Sequence, residues 1–159
     1  MFNINQLKPL TPEQLKLRQE EAFWRNIGEY KINEDGTYTN LETVNFAHLK
    51  LESFPISFKE SHGDFHCNNN KLTSLKGCPE IVYGDFNCFR NKLTSLEFCP
   101  KIITGTFLCY RNSITNWDYF PEEIGKGFYC DYFVYFKKNS VKAFREYRDK
   151  IHNNFLFNP

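Results

Sequence analysis

A chain of 159 residues fits one domain and is long enough to bury a working core. Twenty Lys and Arg stand against nineteen Asp and Glu, and a formal net charge of +1 argues against a generic binder of phosphate backbones. Aromatic residues make up 18% of the chain, with seventeen Phe and nine Tyr; a small core does not consume so many rings, so some are expected at the surface as contact sites.

No apolar run reaches the roughly 20 residues of a membrane span. The first residues, Met1-Phe2-Asn3-Ile4-Asn5-Gln6, contain no basic stretch leading into an apolar one. Neither a membrane nor a secretory leader is expected, and the six cysteines fit reduced thiols of a cytoplasmic protein better than a secreted disulfide scaffold.

In chain order, Thr11-Pro12-Glu13-Gln14 starts a helix: Thr as N-cap, Pro at the first helical position, Gln as capping-box partner. The helix is expected over 11–28, with Leu15, Ala22, Phe23 and Ile27 as its apolar face and Gly28 as its stop. Segment 29–41 reads as a hairpin, Tyr30 to Tyr38 turning on the two residues Asp35-Gly36, and with the helix it forms an N-terminal cap.

Three windows then align without a gap: GDFHCNNNKLTSLKGCPEIVY over 63–83, GDFNCFRNKLTSLEFCPKIIT over 84–104 and GTFLCYRNSITNWDYFPEEIG over 105–125. Columns keep a spacing of 21: Phe65, Phe86, Phe107 and Phe128; Cys67, Cys88, Cys109 and Cys130; Asn70, Asn91 and Asn112; Pro79, Pro100 and Pro121. Val44, Phe46, Leu51 and Phe54 carry the register back into a degenerate first repeat over 42–62. Residues 42–130 are thus expected to form a mainly β solenoid of about five 21-residue coils, the outer two atypical because each must shield an open core.

Within a unit, F-x-C-x-x-N-x-L-x-x-L has leucine-rich-repeat spacing. Alternation turns Phe and Cys inward and the residues between them outward. The Asn is placed to satisfy backbone groups of neighbouring coils. Leu72, Leu93 and Ile114 with Leu75, Leu96 and Trp117 fill the return side, where the prolines favour extended or short 3₁₀ backbone over α-helix. After residue 130 the pattern dissolves. Ser140 is a plausible N-cap for a second helix over 140–153, with Val141, Phe144, Tyr147 and Ile151 on one stripe, expected as a C-terminal cap or a docking element.

The phrases GDFHCNNNKLTSLKGCPEIV and GDFNCFRNKLTSLEFCPKII, with the lead-in YKINEDGTYTNLETVNF, resemble leucine-rich-repeat-like proteins of bacteriophage genomes over about residues 29–130. The resemblance implies a right-handed solenoid and a phage or prophage origin, hence the bacterial host cytoplasm. It brings no activity and no catalytic residues.

The columns explain the cysteines as scaffold: an inward ladder does not converge tetrahedrally on zinc and sets poor disulfide geometry. His66 points outward while Cys67 faces in, so they make no nucleophile–base pair; His62, Asp64 and His66 share the outer side, where a weak metal site is the alternative to ordinary solvated side chains. No enzyme motif occurs, and no catalytic residue, metal or cofactor is expected. The outward set changes along the axis from Asp64, His66, Asn68 and Asn69 to Asp85, Asn87, Phe89 and Arg90, then Thr106, Leu108, Tyr110 and Arg111, then Tyr129, Asp131 and Tyr132.

Phe, Tyr and Arg are the residue types of interface hot spots. Asp85, Asn87, Phe89, Arg90, Leu108, Tyr110, Arg111, Tyr129 and Tyr132 therefore stand as the candidate partner-binding set, against the plainer reading that the rings merely stack between coils. The expected function is non-enzymatic binding of a host or phage protein through the strand face, the phage context suggesting modulation or inhibition of a host protein, including a defence component. Two alternatives are single-strand nucleic-acid binding on Arg90, Arg111, Phe89 and Tyr110, which the charge balance disfavours, and a self-associating structural or virion component joined through the C-terminal helix.

Overall fold

The computed structural model describes residues 9–115 and 117–130, with the backbone of one further strand, Val134–Lys137. The expected helix over 140–153 and the site candidate Tyr132 lie outside the described residues.

Helix α1 spans Pro12–Arg25, and both halves of the Thr11/Gln14 capping box are formed: Gln14 N donates to Thr11 Oγ1 at 3.2 Å and Thr11 N to Gln14 Oε1 at 3.0 Å. Its contact with the core is narrower than the sequence suggests. Phe23 and Ile27 are buried and Phe23 stacks on Phe46 at 4.4 Å, but Leu15 is 48% exposed. The hairpin forms from β1 (Tyr30–Ile32) and β2 (Tyr38–Asn40), paired antiparallel. Its loop is longer than the expected two-residue turn: Asn33 N donates to Thr37 O and Gly36 N to Asn33 O, enclosing Glu34, Asp35 and Gly36, with Gly36 at φ 80. A three-residue loop with one left-handed position matches strand twist as well as the shorter turn does.

From β2 onward the chain winds as a β-solenoid. Sheet A runs β1-β2-β4-β6-β8-β10, adding β4 (Phe58–Ser61), β6 (Ile81–Val82), β8 (Ile102–Ile103) and β10 (Glu123–Ile124). Sheet B is built from β3 (Val44–Asn45), β5 (Phe65–His66), β7 (Phe86–Asn87), β9 (Thr106–Leu108), β11 (Gly127–Cys130) and β12 (Val134–Lys137). Strands of successive coils pair parallel, and among the described strands only the end pairs β1/β2 and β11/β12 are antiparallel. Pairing Val44↔Phe65, Phe65↔Phe86, Phe86↔Phe107 and Phe107↔Phe128 confirms the 21-residue register, the degenerate first coil included. Five strands stacked in each ladder make about four full turns, one fewer than the count of coils suggests. The return side carries its own parallel sheet, which the prolines foreshadow by excluding helix.

Identical residues stack on themselves in the core. Phe65, Phe86, Phe107 and Phe128 are 0% exposed; Phe65–Phe86 and Phe86–Phe107 centroids lie 6.0 and 5.7 Å apart. Burying such a ring is worth about 2–3 kcal/mol. Small thiols fill the layer beside the rings, and Leu72, Leu75, Leu93 and Leu96 close the other side.

Polar ladders hold the coils in phase. Asn91 Nδ2 donates to Cys67 O and Cys88 O, both at 3.0 Å, and Leu72 N donates to Asn91 Oδ1 at 3.0 Å. Asn70 and Asn112 repeat this bracket one coil away on each side. On the opposite turn, Asp85 N donates to Asp64 Oδ1 and Thr106 N to Asp85 Oδ1, each at 2.7 Å. The glycine at the start of the next coil makes room for each carboxylate: a Cβ on Gly84 would collide with Asp64 Oδ1, and one on Gly105 with Asp85 Oδ1.

Candidate binding face

The outer surface of sheet B is set by strand alternation. Phe86 and Cys88 point in, so Asn87 and then Phe89 and Arg90 point out; Leu108, Tyr110 and Arg111 do the same one coil on. Asn87, Phe89, Leu108 and Tyr110 are half-buried, Arg90, Arg111 and Tyr129 exposed. Asn68, expected outward, is instead buried at 8% exposure.

The turn that leaves sheet B has a feature invisible to the repeat columns. His48, Asn69, Arg90 and Arg111, spaced by 21, all have left-handed backbone, φ 63, 55, 55 and 54. That region is uncommon for residues with a side chain beyond Asn. It reverses the chain sharply, so that Asn70, Asn91 and Asn112 fold inward onto the backbone while Arg90 and Arg111 are exposed and Asn69 is half-buried. His48, Asn69, Asn70 and Arg90 line a shallow open depression on this edge.

Phe89 and Tyr110 stack flat, centroids 4.7 Å apart and planes at 4°. The rings therefore do stack between coils, as the plainer expectation had it, and such a pair contributes about 0.5–1.5 kcal/mol. Their outer edges and the flanking arginines remain at the surface. Asp85 belongs to the scaffold as well as to the face: its carboxylate accepts the Thr106 amide and lies 3.8 Å from Lys126 Nζ. Asn87 Oδ1 accepts from Phe89 N at 3.5 Å, a local turn that steadies the aromatic position.

The histidines have separate partners. His62 Nε2 lies 3.5 Å from Glu60 and His66 Nε2 3.7 Å from Asp64. Among the described residues no group of three potential metal ligands gathers. All six cysteines are free thiols. Cys67 and Cys88 are fully buried and Cys78 nearly so, and burial pushes these thiols up from their ordinary range; Cys99, on the return side, is half-buried. The return-side thiols share the core with the strand column, Cys78 adjoining Cys67, a proximity that chain spacing does not reveal.

Exposed rings also occur elsewhere: Tyr83, Phe98 and Tyr119 lie outside sheet B, at 48, 49 and 53% exposure. Phe98 occupies a left-handed position, φ 65, where the preceding coil has Gly77 at φ 97. No described helix is long and apolar enough to cross a membrane. Comparison with protein-family profiles, with curated proteins and with solved structures finds no match.

Proposed function

We propose that this protein is a non-enzymatic binding module that holds another protein through the outer face of sheet B and the turn beside it. One observation carries the reading. Side chains whose outward position relieves them of core packing change along the solenoid axis from His66 and Asn69 to Phe89, Arg90, Tyr110, Arg111 and Tyr129. A flat aromatic pair beside arginines on rigid, hydrogen-bonded backbone offers large contact area at small entropic cost. The rigid coil brackets support this, since they hold the face in one shape before any partner arrives. The resemblance to bacteriophage proteins supplies the context: a host-cell protein as target, in the bacterial cytoplasm, with modulation or inhibition as the outcome.

Replacing Tyr110 and Arg111 by Ala tests the proposal in affinity capture from host lysates. The double variant loses the partner captured by the parent protein, while its stability falls by only about 1 kcal/mol, the worth of the stacked pair. Capture at full strength by the folded double variant contradicts the assignment of the face.

A further inference from the structure

Beside the aromatic pair, the turn leaving sheet B carries a second column. Lys50, Lys71 and Lys92 recur at a spacing of 21, two residues after His48, Asn69 and Arg90. All three lysines are exposed, as are His48, Arg90 and Arg111. Between the two columns Asn70 and Asn91 turn inward, so the cations flank the asparagine ladder on both sides. The backbone beneath is fixed: Lys71 N donates to Leu51 O at 2.8 Å and Lys92 N to Leu72 O at 2.9 Å. The backbones that carry Lys71 and Lys92 thus lie one strand spacing apart, about 4.8 Å.

Across segments 47–52, 68–73, 89–94 and 110–115 the only acidic residue is Glu52, 3.5 Å from Lys71 Nζ. Five permanent cations on one edge are far out of proportion to a whole-chain net charge of +1. Stacked like charges repel one another, and of the three lysines only Lys71 lies within ion-pair distance of a carboxylate among the described residues. Cations carried side by side on hydrogen-bonded backbone complement a line of negative charge.

We propose that this edge seats an extended acidic polypeptide segment of the partner, its carboxylates laid along the solenoid axis over Lys50, Lys71, Lys92, Arg90 and Arg111. The inference rests on sheet B and its turn being the binding side, and it names the chemistry of what is bound there. Carboxylates fit better than a nucleic-acid strand on two grounds. Phe89 and Tyr110 close their faces on each other at 4.7 Å, leaving no slot between them for a base. A net charge of +1 also supplies little of the long-range field that gathers a polyanion.

The test is fluorescence anisotropy with three labelled probes: a glutamate peptide, a glutamine peptide of the same length and an oligothymidylate. Peptides of roughly six residues cover the edge at about 3.3 Å per residue. The glutamate peptide binds at low ionic strength and weakens as salt is raised. The triple variant Lys50→Gln, Lys71→Gln, Lys92→Gln loses about tenfold or more of that affinity, and the triple Lys→Arg variant retains it. Undiminished binding by the Gln variant, equal binding of the glutamine peptide, or tighter binding of the oligothymidylate overturns the proposal.

Running the Gln variant beside Tyr110→Ala/Arg111→Ala in affinity capture separates the two readings. Capture lost with the Tyr110/Arg111 pair but kept in full by the Gln variant leaves the face standing and removes the acidic segment. Loss in the Gln variant together with loss of glutamate-peptide binding supports it.

Discussion

Single side chains hold this fold in ways that can be isolated by substitution. Asn91 satisfies two carbonyls and one amide on two successive coils. Asn91→Ala leaves those groups poorly paired and is expected to cost about 2–4 kcal/mol in chemical denaturation. Asn91→Asp does no better, because a carboxylate cannot donate to the two carbonyls. Gly105 lies against the Asp85 carboxylate, so Gly105→Ala pushes apart a bracket between coils and costs about 1–3 kcal/mol by the same measurement. Phe98 sits at a left-handed position where the preceding coil has glycine. Removing the ring as Phe98→Gly is therefore expected to leave a protein about 1 kcal/mol more stable than Phe98→Ala, since the two differ chiefly in backbone strain.

Elements built from such positions were legible to different degrees. The Phe and Cys columns fixed sheet B and its register, because a strand period repeated at constant spacing has one inward assignment. The capping box placed the start of α1, with Thr11 as its N-cap, and Gly28 placed its end within three residues. The second sheet was less visible: two-residue strands such as Ile81–Val82 are too short to show alternation, and only the prolines marked that side as non-helical. Left-handed backbone at Arg90 and Arg111 carried no signal, because neither Gly nor a turn dipeptide marks it. The doubled role of Asp85 was hidden likewise, since its partner amide lies 21 residues away.

The thiol columns make a further test at this scale. Burial raises the Cys67, Cys78 and Cys88 thiols, so the unfolded chain loses these protons first as pH rises. Stability is then whole below about pH 8.5 and falls above it, by up to about 1.4 kcal/mol per pH unit for each thiol. Denaturation curves across that range check the sign, and a stability that rises with alkaline pH contradicts the buried assignment.

At the scale of the whole molecule, the solenoid separates two tasks by column. Rings, thiols, leucines and asparagines at fixed spacing define a coil that contacts chiefly its neighbours. Residues between those columns are released from that duty, and on one side they became aromatic and cationic. The most direct measurement is side-chain oxidation footprinting of the protein alone and with its captured partner. Phe89 and Tyr110 lose reactivity on binding, while Phe98 and Tyr119, which lie outside sheet B, keep theirs. Protection of Phe98 and Tyr119 with Phe89 and Tyr110 unchanged would place the partner elsewhere and contradict the assignment of sheet B as the binding face.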